Sequence, residues 1–397
     1  MMFIQPGPDA LRHWTLDPAV TFLNHGSYGA CPSVVLEAQA ELRARLEREP
    51  VHFFTRLLEP LMDEALEALA RFLGASPEDL AFVSNASSGV STVLRSLNLE
   101  AGDELLTTTH VYNSCRNALD FVAGRAGAKV VEAAVPFPLA SEEEVVEAIL
   151  RGVTERTRLL LVDHVTSATG VIFPLEEIVP RLREKGIETL VDGAHAPGML
   201  PLQLDALGAA YYTGNCHKWL CAPKGAAFLH VRRDVQQGLH PLTFSHGLNS
   251  PRRDRSRFRL EFDFTGTDDP TAFLAVPTAL DFFATRFESG WAGVRAHNHA
   301  LAREARSLLC EALETTPPCP EEMLGSLATV ALPEGPPVTV TPGAPDPLHT
   351  LLFQRFAIEV PVWPLLGSRW LRISAQVYNQ RSQYVQLGAA LRELLSP

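Results

Sequence analysis

The chain has 397 residues, enough for two or three domains and a sizeable core, and its 46% apolar and 20% charged residues are ordinary for a soluble globular protein. A formal net charge of −12 argues against nucleic acid or an anionic membrane surface as the main partner. The opening MMFIQPGPDALRHW has neither the basic start nor the apolar run of a secretory signal, and no segment is long and apolar enough to span a bilayer.

The six cysteines (Cys31, Cys115, Cys216, Cys221, Cys310, Cys319) are scattered with no CxxC pair. That fits reduced thiols in a cytoplasmic protein better than a disulfide framework or a zinc ribbon. Residues 19–30, AVTFLNHGSYGA, read as a short strand entering a glycine-rich turn. Apolar Leu36, Ala38, Leu42 and Leu46 predict an amphipathic helix over 33–48. Leu61, Ala65, Leu69 and Phe72 predict another over about 58–73, stopped by Gly74.

From residue 80 the rhythm changes. Apolar runs at 80–83, 104–108, 129–133, 158–163 and 188–192 alternate with helix candidates at about 89–98, 114–124, 142–152 and 175–185. Strand–helix alternation of this kind predicts an α/β layer with a mostly parallel sheet, whose ligands bind at the carboxyl ends of the strands. Strands are expected at 204–213 and 225–231. An irregular arginine-rich segment follows at 245–270, then helices at about 271–288 and 290–314. Beyond a proline-rich break at 315–320 a smaller α+β unit is expected, with a second proline-rich patch at 333–347. The reading divides the chain into an N-terminal arm (1–30), a large domain (31–270) and a small C-terminal domain (271–397) entered through a linking helix at about 271–290.

Chemistry is therefore sought just after the strands. Ser84-Asn85-Ala86-Ser87-Ser88-Gly89 opens a helix with small hydroxyl residues, a plain N-cap or an anion cup. Tyr112 follows the second run, an aromatic face for a planar ligand or an ordinary core residue. Asp163 and His164 follow the fourth run, and Asp192 and His195 the fifth. A carboxylate at the end of a buried strand needs a cation or a donor. Lys218, one of only four lysines, lies in YYTGNCHKW among apolar and aromatic residues. Burial there would free a neutral amine for covalent chemistry; a stem lying on apolar surface with its head in water is the alternative.

These residues combine in two ways. Asp163, His164, Asp192, His195 and His217 could serve a metal-dependent hydrolase, although no HExxH or comparable set is present. The other combination is a site for pyridoxal 5'-phosphate (PLP). It needs a lysine for the aldehyde, an acid at the pyridine nitrogen, a phosphate cup and an aromatic face. The second is favoured because all four parts are present, on different strand ends.

The segments FLNHGSYGACP, FVSNASSGVSTVLRSL, VDHVTSATG, VDGAHAPG, YYTGNCHKWLCAPKG, GTDDPTAF and RISAQVYN occur in this order. Together they resemble the class V aminotransferase family of fold type I PLP enzymes, nearest its isopenicillin N epimerase-like branch. The resemblance implies a three-layer fold and a homodimer with shared sites. It implies that Lys218 forms the Schiff base with the cofactor aldehyde, that Asp192 pairs with the pyridine nitrogen, and that His195 lies near the ring's phenolic oxygen. Tyr112 would stack on the ring, with Ser167 also among the cofactor contacts. Ser87 and the Ala86 and Ser87 N–H groups would hold the phosphate, helped by Asn215 and His217, and Thr267 would reach the phosphate of the neighbouring subunit. Arg372 would grip the substrate α-carboxylate, with Asn24 and His25 also at the substrate.

Desulfurases of the family carry a cysteine ahead of that arginine. EVPVWPLLGSRWLR has none, so a persulfide route is not expected. The implied chemistry begins with loss of a Cα proton from an amino acid or a derivative of one. Reprotonation on the opposite face makes an epimerase, reprotonation at the cofactor a transaminase, and loss of a β-substituent a carbon–sulfur lyase. The arginine cluster at 252–259 is expected either to pair with acids across a dimer interface or to read a second substrate carboxylate.

Overall fold

The computed structural model describes residues 3–333 and 346–395. All but the ends of the proline-rich patch expected at 333–347 thus lies outside the described residues. Seven strands form the central sheet: β1 (Leu80–Val83), β2 (Glu104–Thr108), β3 (Lys129–Ala133), β4 (Thr157–Asp163), β5 (Glu188–Asp192), β6 (Tyr211–Asn215) and β7 (Ala227–Val231). Their order is β1-β7-β6-β5-β4-β2-β3, and only β7 runs against the rest.

Alternate residues of each strand feed opposite faces, as the pleat requires. On one face Leu106, Leu160, Val162 and Val191 join Leu66 and Leu69 of α1 (Leu58–Leu73) in a common core. That core also takes in Val145 and Ile149 of α2 (Glu142–Arg151) and Ile178 and Leu182 of α3 (Leu175–Arg183). On the other face Leu105, Leu159, Leu161 and Leu190 meet Val90 and Val93 of α4 (Ala86–Ser96) and Leu119 and Ala123 of α5 (Asn113–Ala126). Each fully buried leucine contributes about 2 kcal/mol of apolar burial, which is why the strands read as continuous apolar runs. Gly89 lets α4 approach the sheet: a Cβ there would lie 2.2 Å from Thr213 Oγ1.

A second, antiparallel sheet of β8 (Leu327–Ala331), β9 (Val362–Leu365) and β10 (Ser368–Ser374) has the order β9-β10-β8. Thr21–Phe22 pairs in parallel with Ile358–Glu359, tying the N-terminal segment to this C-terminal unit. The expected stop at Gly74 is present, with φ 62 in the left-handed region.

Several boundaries differ from expectation. Residues 204–207, expected as strand, form a helical turn (Leu204–Leu207) closed by left-handed Gly208. The helix expected at 271–288 is two pieces, Thr271–Leu274 and Val276–Arg286, the second opened by Pro277. Within the segment read as irregular, Arg257–Phe262 is helical because the Ser256 side chain accepts from the Arg259 N–H.

Candidate active site

Asp163 and Asp192 end adjacent parallel strands and face each other in register, while Asn215 ends the next strand, β6. The turns after β1, β2 and β6 carry Ser87, Tyr112 and Lys218 to the same sheet edge. Together they border a cavity of about 150 Å³ lined also by Ser27, Tyr28, Ser167, His195, Asn215 and His217.

Lys218 lies in a turn closed by the Cys221 N–H donating to the Lys218 carbonyl (3.0 Å), with Cys221 in the left-handed region at φ 60. Its Nζ is 3.0 Å from His195 Nε2. Burial, reinforced by the Arg372 charge, brings its pKa down from 10.5 to about 8, against the opposing pull of Asp192 and Asp163. His195 is buried, and desolvation together with Lys218 and Arg372 holds it well below the ordinary histidine value, so its imidazole is neutral. The Trp219 indole donates to His195 Nδ1 at 3.3 Å.

Asp192 accepts from the Ala194 N–H at 3.0 Å and from the Cys115 thiol at 3.1 Å. Asp163 is buried and pushed well above the usual carboxylate range by desolvation and by Asp192 beside it, which favours its protonated form.

The helix start behaves differently from the expected cup. The Ala86 N–H donates to Asn215 Oδ1 (2.9 Å), and the Ser88 N–H to Asn85 Oδ1 (2.8 Å). Ala86 is therefore not a free anion donor. Asn215 and Ser87 both line the cavity. His217 Nδ1 lies 3.2 Å from the Ala226 carbonyl, to which it donates. Burial lowers the His217 pKa to about 4, so its other nitrogen is an acceptor and can donate to a phosphate only once protonated.

Arg372, on β10, is buried without a carboxylate partner among the described residues. It donates to the Ser167 carbonyl and to Ser27 Oγ (3.3 Å), and its Cζ lies 4.6 Å from the centre of the Trp363 ring. Its Nε is a buried orphan donor, and desolvation drops its pKa to about 9. Such a guanidinium lacks an anion.

Two expected substrate contacts are turned away from the cavity. His25 is fully buried, one ring nitrogen 2.7 Å from Tyr378 OH and the other 3.0 Å from the Lys218 carbonyl, so it braces the lysine turn. Asn24 donates to Glu359 (3.0 Å) and accepts from Ser27 Oγ (2.6 Å). It orients Ser27 behind the cavity wall, and Ser27 and Tyr28 face the cavity instead. Thr267 is exposed and does not line the cavity of its own chain. Three arginines of the cluster are engaged by acids of their own chain. Arg252 pairs with Glu59, Arg255 with Asp63 and Asp263, and Arg259 with Asp63 and Asp263, all within the one chain.

The metal-ligand set does not assemble: among the described residues no three His, Cys, Asp or Glu side chains are grouped to hold an ion. His164 is instead engaged with Tyr212 OH at 2.8 Å. The donor set fits PLP. A part-buried amine of lowered pKa would serve the aldehyde, a strand-end carboxylate the pyridine nitrogen, a helix start with Ser87 the phosphate, and Tyr112 a ring face.

The family model for aminotransferase class-V matches residues 21–339. An isopenicillin N epimerase of Amycolatopsis lactamdurans is 39% identical, over 97% of this chain and 98% of its own length. A probable chloroplastic L-cysteine desulfhydrase of Arabidopsis thaliana is 31% identical, over 96% of this chain and 84% of its own length. In fold the chain is similar to a mutant C-DES enzyme with glycine covalently linked to its PLP cofactor. That likeness has a TM-score of 0.77 at 19% identity and covers 96% of this chain and 98% of the other. The chain belongs to the aminotransferase class-V family and is a PLP-dependent enzyme of it.

Proposed function

We propose, with membership of that family as the premise, that this enzyme removes the Cα proton of an amino acid or amino-acid-derived substrate and returns it on the other face, as an isopenicillin N epimerase-like isomerase. The observation that carries the reading is Lys218. It is a part-buried amine brought to a pKa of about 8, 3.0 Å from a neutral histidine and near an arginine without a carboxylate partner among the described residues.

When bound, PLP supplies an aldehyde and an electron-withdrawing ring that stabilises negative charge at Cα. Lys218 would meet the aldehyde, Asp192 the ring nitrogen, and Ser87 and the Asn215 amide the phosphate, with Tyr112, Ser167 and His195 around the ring. Arg372 binds the α-carboxylate through its two-pronged guanidinium, held flat by Trp363. Lys218, about one-tenth neutral at pH 7 from a pKa near 8, takes the proton as base. Tyr112 lines the cavity and burial raises its pKa, so it keeps its proton and suits the role of second acid.

A second reading, carbon–sulfur lyase, has its own support. A relative at 31% identity is named as a probable cysteine desulfhydrase. All six cysteines are free and buried, and none lines the cavity, so the lyase would act without a cysteine nucleophile. The reading includes a homodimer, in which Thr267 and the exposed Tyr28 and Tyr112 would meet a second copy. It also includes a cytoplasmic setting, consistent with the unpaired thiols.

The test is an amino-acid panel in deuterated water. Deuterium at Cα with loss of optical purity supports the isomerase. Sulfide with keto acid from cysteine supports the lyase. A protein that takes up no PLP, shows no visible band fixed by borohydride, or shows one that survives in Lys218→Ala refutes both.

A further inference from the structure

The turn after β6 places two residues against one imidazole: Lys218 at Nε2 (3.0 Å) and Trp219 at Nδ1 (3.3 Å). Trp219 is fully buried, packed against the His25 ring at 5.0 Å, and its only polar atom is an N–H. An indole nitrogen donates and never accepts. His195 Nδ1 must therefore be the unprotonated nitrogen, since a proton there would oppose two donors in a buried space. A neutral imidazole carries one proton, and the only place left for it is Nε2. The charged and titratable groups around the ring are Lys218, Arg372, His217 and His25, and the first two disfavour a second proton on it.

We infer that Trp219 is a positioning residue that locks His195 in the Nε2–H tautomer and so presents a hydrogen-bond donor to the cavity at Lys218. The inference rests on the proposed reading only in taking Lys218 and His195 as parts of one reaction site. It has a direct consequence for the amine. An Nε2–H can bond Nζ only when Nζ offers a lone pair, so the lock favours the neutral lysine over the ammonium. An unprotonated Nε2 would do the reverse, accepting from the ammonium and holding its proton. The same donor is available to any anionic oxygen that reaches this side of the cavity. Trp219 thus acts through His195 and touches neither substrate nor cofactor itself.

The experiment uses ligand-free protein labelled with nitrogen-15 in its histidine rings, with His195→Gln assigning the signal. Above pH 8, where Lys218 is mainly neutral and can accept, wild type is expected to show a wide separation between a protonated Nε2 and an unprotonated Nδ1. Trp219→Phe, which keeps the aromatic packing but not the N–H, is expected to lose most of that separation as the two tautomers exchange. Its PLP-loaded form should also show a shifted pH dependence of the visible absorption. A wild-type Nδ1–H tautomer, a wild-type imidazolium at neutral pH, or an unchanged separation in Trp219→Phe would each overturn the inference. Should the variant not fold, the wild-type spectrum alone decides. A wild-type protein that takes up no PLP would instead defeat the proposed function and leave the tautomer measurement standing.

Discussion

Lys218→Met tests whether burial really depresses the amine. Unfolded, the lysine keeps its proton to about pH 10.5; folded, it loses it near 8. The unfolded chain therefore binds more protons between those values, and this group makes stability rise with pH across that window. Below pH 8 the native state carries the full penalty, about 3 kcal/mol for a shift of this size. That is an upper bound, because part of the stem borders the cavity and sees water. Methionine keeps the length and removes the charge, at a loss of about 1 kcal/mol for the bond to His195. Ligand-free Lys218→Met should thus be more stable than wild type at pH 7 by about 2 kcal/mol, and the advantage should shrink by about 2 kcal/mol by pH 9.5. Urea midpoints of both proteins at the two pH values measure it. A wild type that is the more stable at pH 7, or a gap that does not change with pH, would refute the reasoning.

Three further outcomes are expected. Arg372→Lys keeps the charge but loses the planar fork, and should raise KM for an α-amino acid about ten- to a hundredfold. The preference for the acid over its amide should fall with it, and an unchanged preference would remove Arg372 from carboxylate binding. Arg255→Ala leaves Asp63 and Asp263 crowded and should cost about 2 kcal/mol of stability, less than a fully buried pair because Asp63 is partly exposed. KM should not move, and a changed KM would restore a substrate role for the cluster. Asp163→Asn replaces a carboxyl whose folded pKa is raised, so its stability relative to wild type should grow as pH rises above about 4, where the unfolded aspartate ionises. Urea midpoints at pH 5 and pH 8 that give the same gap would contradict a raised folded pKa for Asp163.

The strand ends at Asp163 and Asp192 were readable because buried strands are short apolar runs, which these side chains break where the chain leaves the sheet. Lys218 stood out because a chain with four lysines placed one between aromatic residues. Side-chain direction within the short helix His25–Tyr28 was not readable. One residue of register decides that His25 turns under the lysine turn while Ser27 and Tyr28 turn to the cavity. Nor could the sequence show that the Asn215 side chain would occupy the Ala86 N–H, since 129 positions separate them. Cys115, Trp219 and Trp363 carried no signal in the sequence because their significance lies in single polar or ring contacts made in three dimensions. The arginine cluster was legible as charge in want of acids, but not which acids: Glu59 and Asp63 lie 193 and 192 positions upstream of Arg252 and Arg255.

The site's charges imply a coupling between substrate and base. Lys218 is a part-buried cation and Arg372 a buried one, and the partners of Arg372 among the described residues are a carbonyl, a hydroxyl and an aromatic face, none of which neutralises it. Its charge is the second cause, after burial, of the depressed lysine pKa. A carboxylate arriving at Arg372 cancels that charge and leaves desolvation as the main opposing influence, so the lysine pKa should rise when the substrate's carboxylate is in place. The amine would then titrate near 8 while the site waits and become a stronger base when the substrate's carboxylate is in place. Propionate supplies the carboxylate without an amine to react. In ligand-free protein it should move the pH midpoint of Lys218 acylation upward, with exposed Lys129 and Lys185 as unshifted internal standards. Arg372→Leu should raise that midpoint by itself and abolish the propionate effect. A midpoint indifferent to both would show that burial alone sets the amine, and that Arg372 binds without tuning.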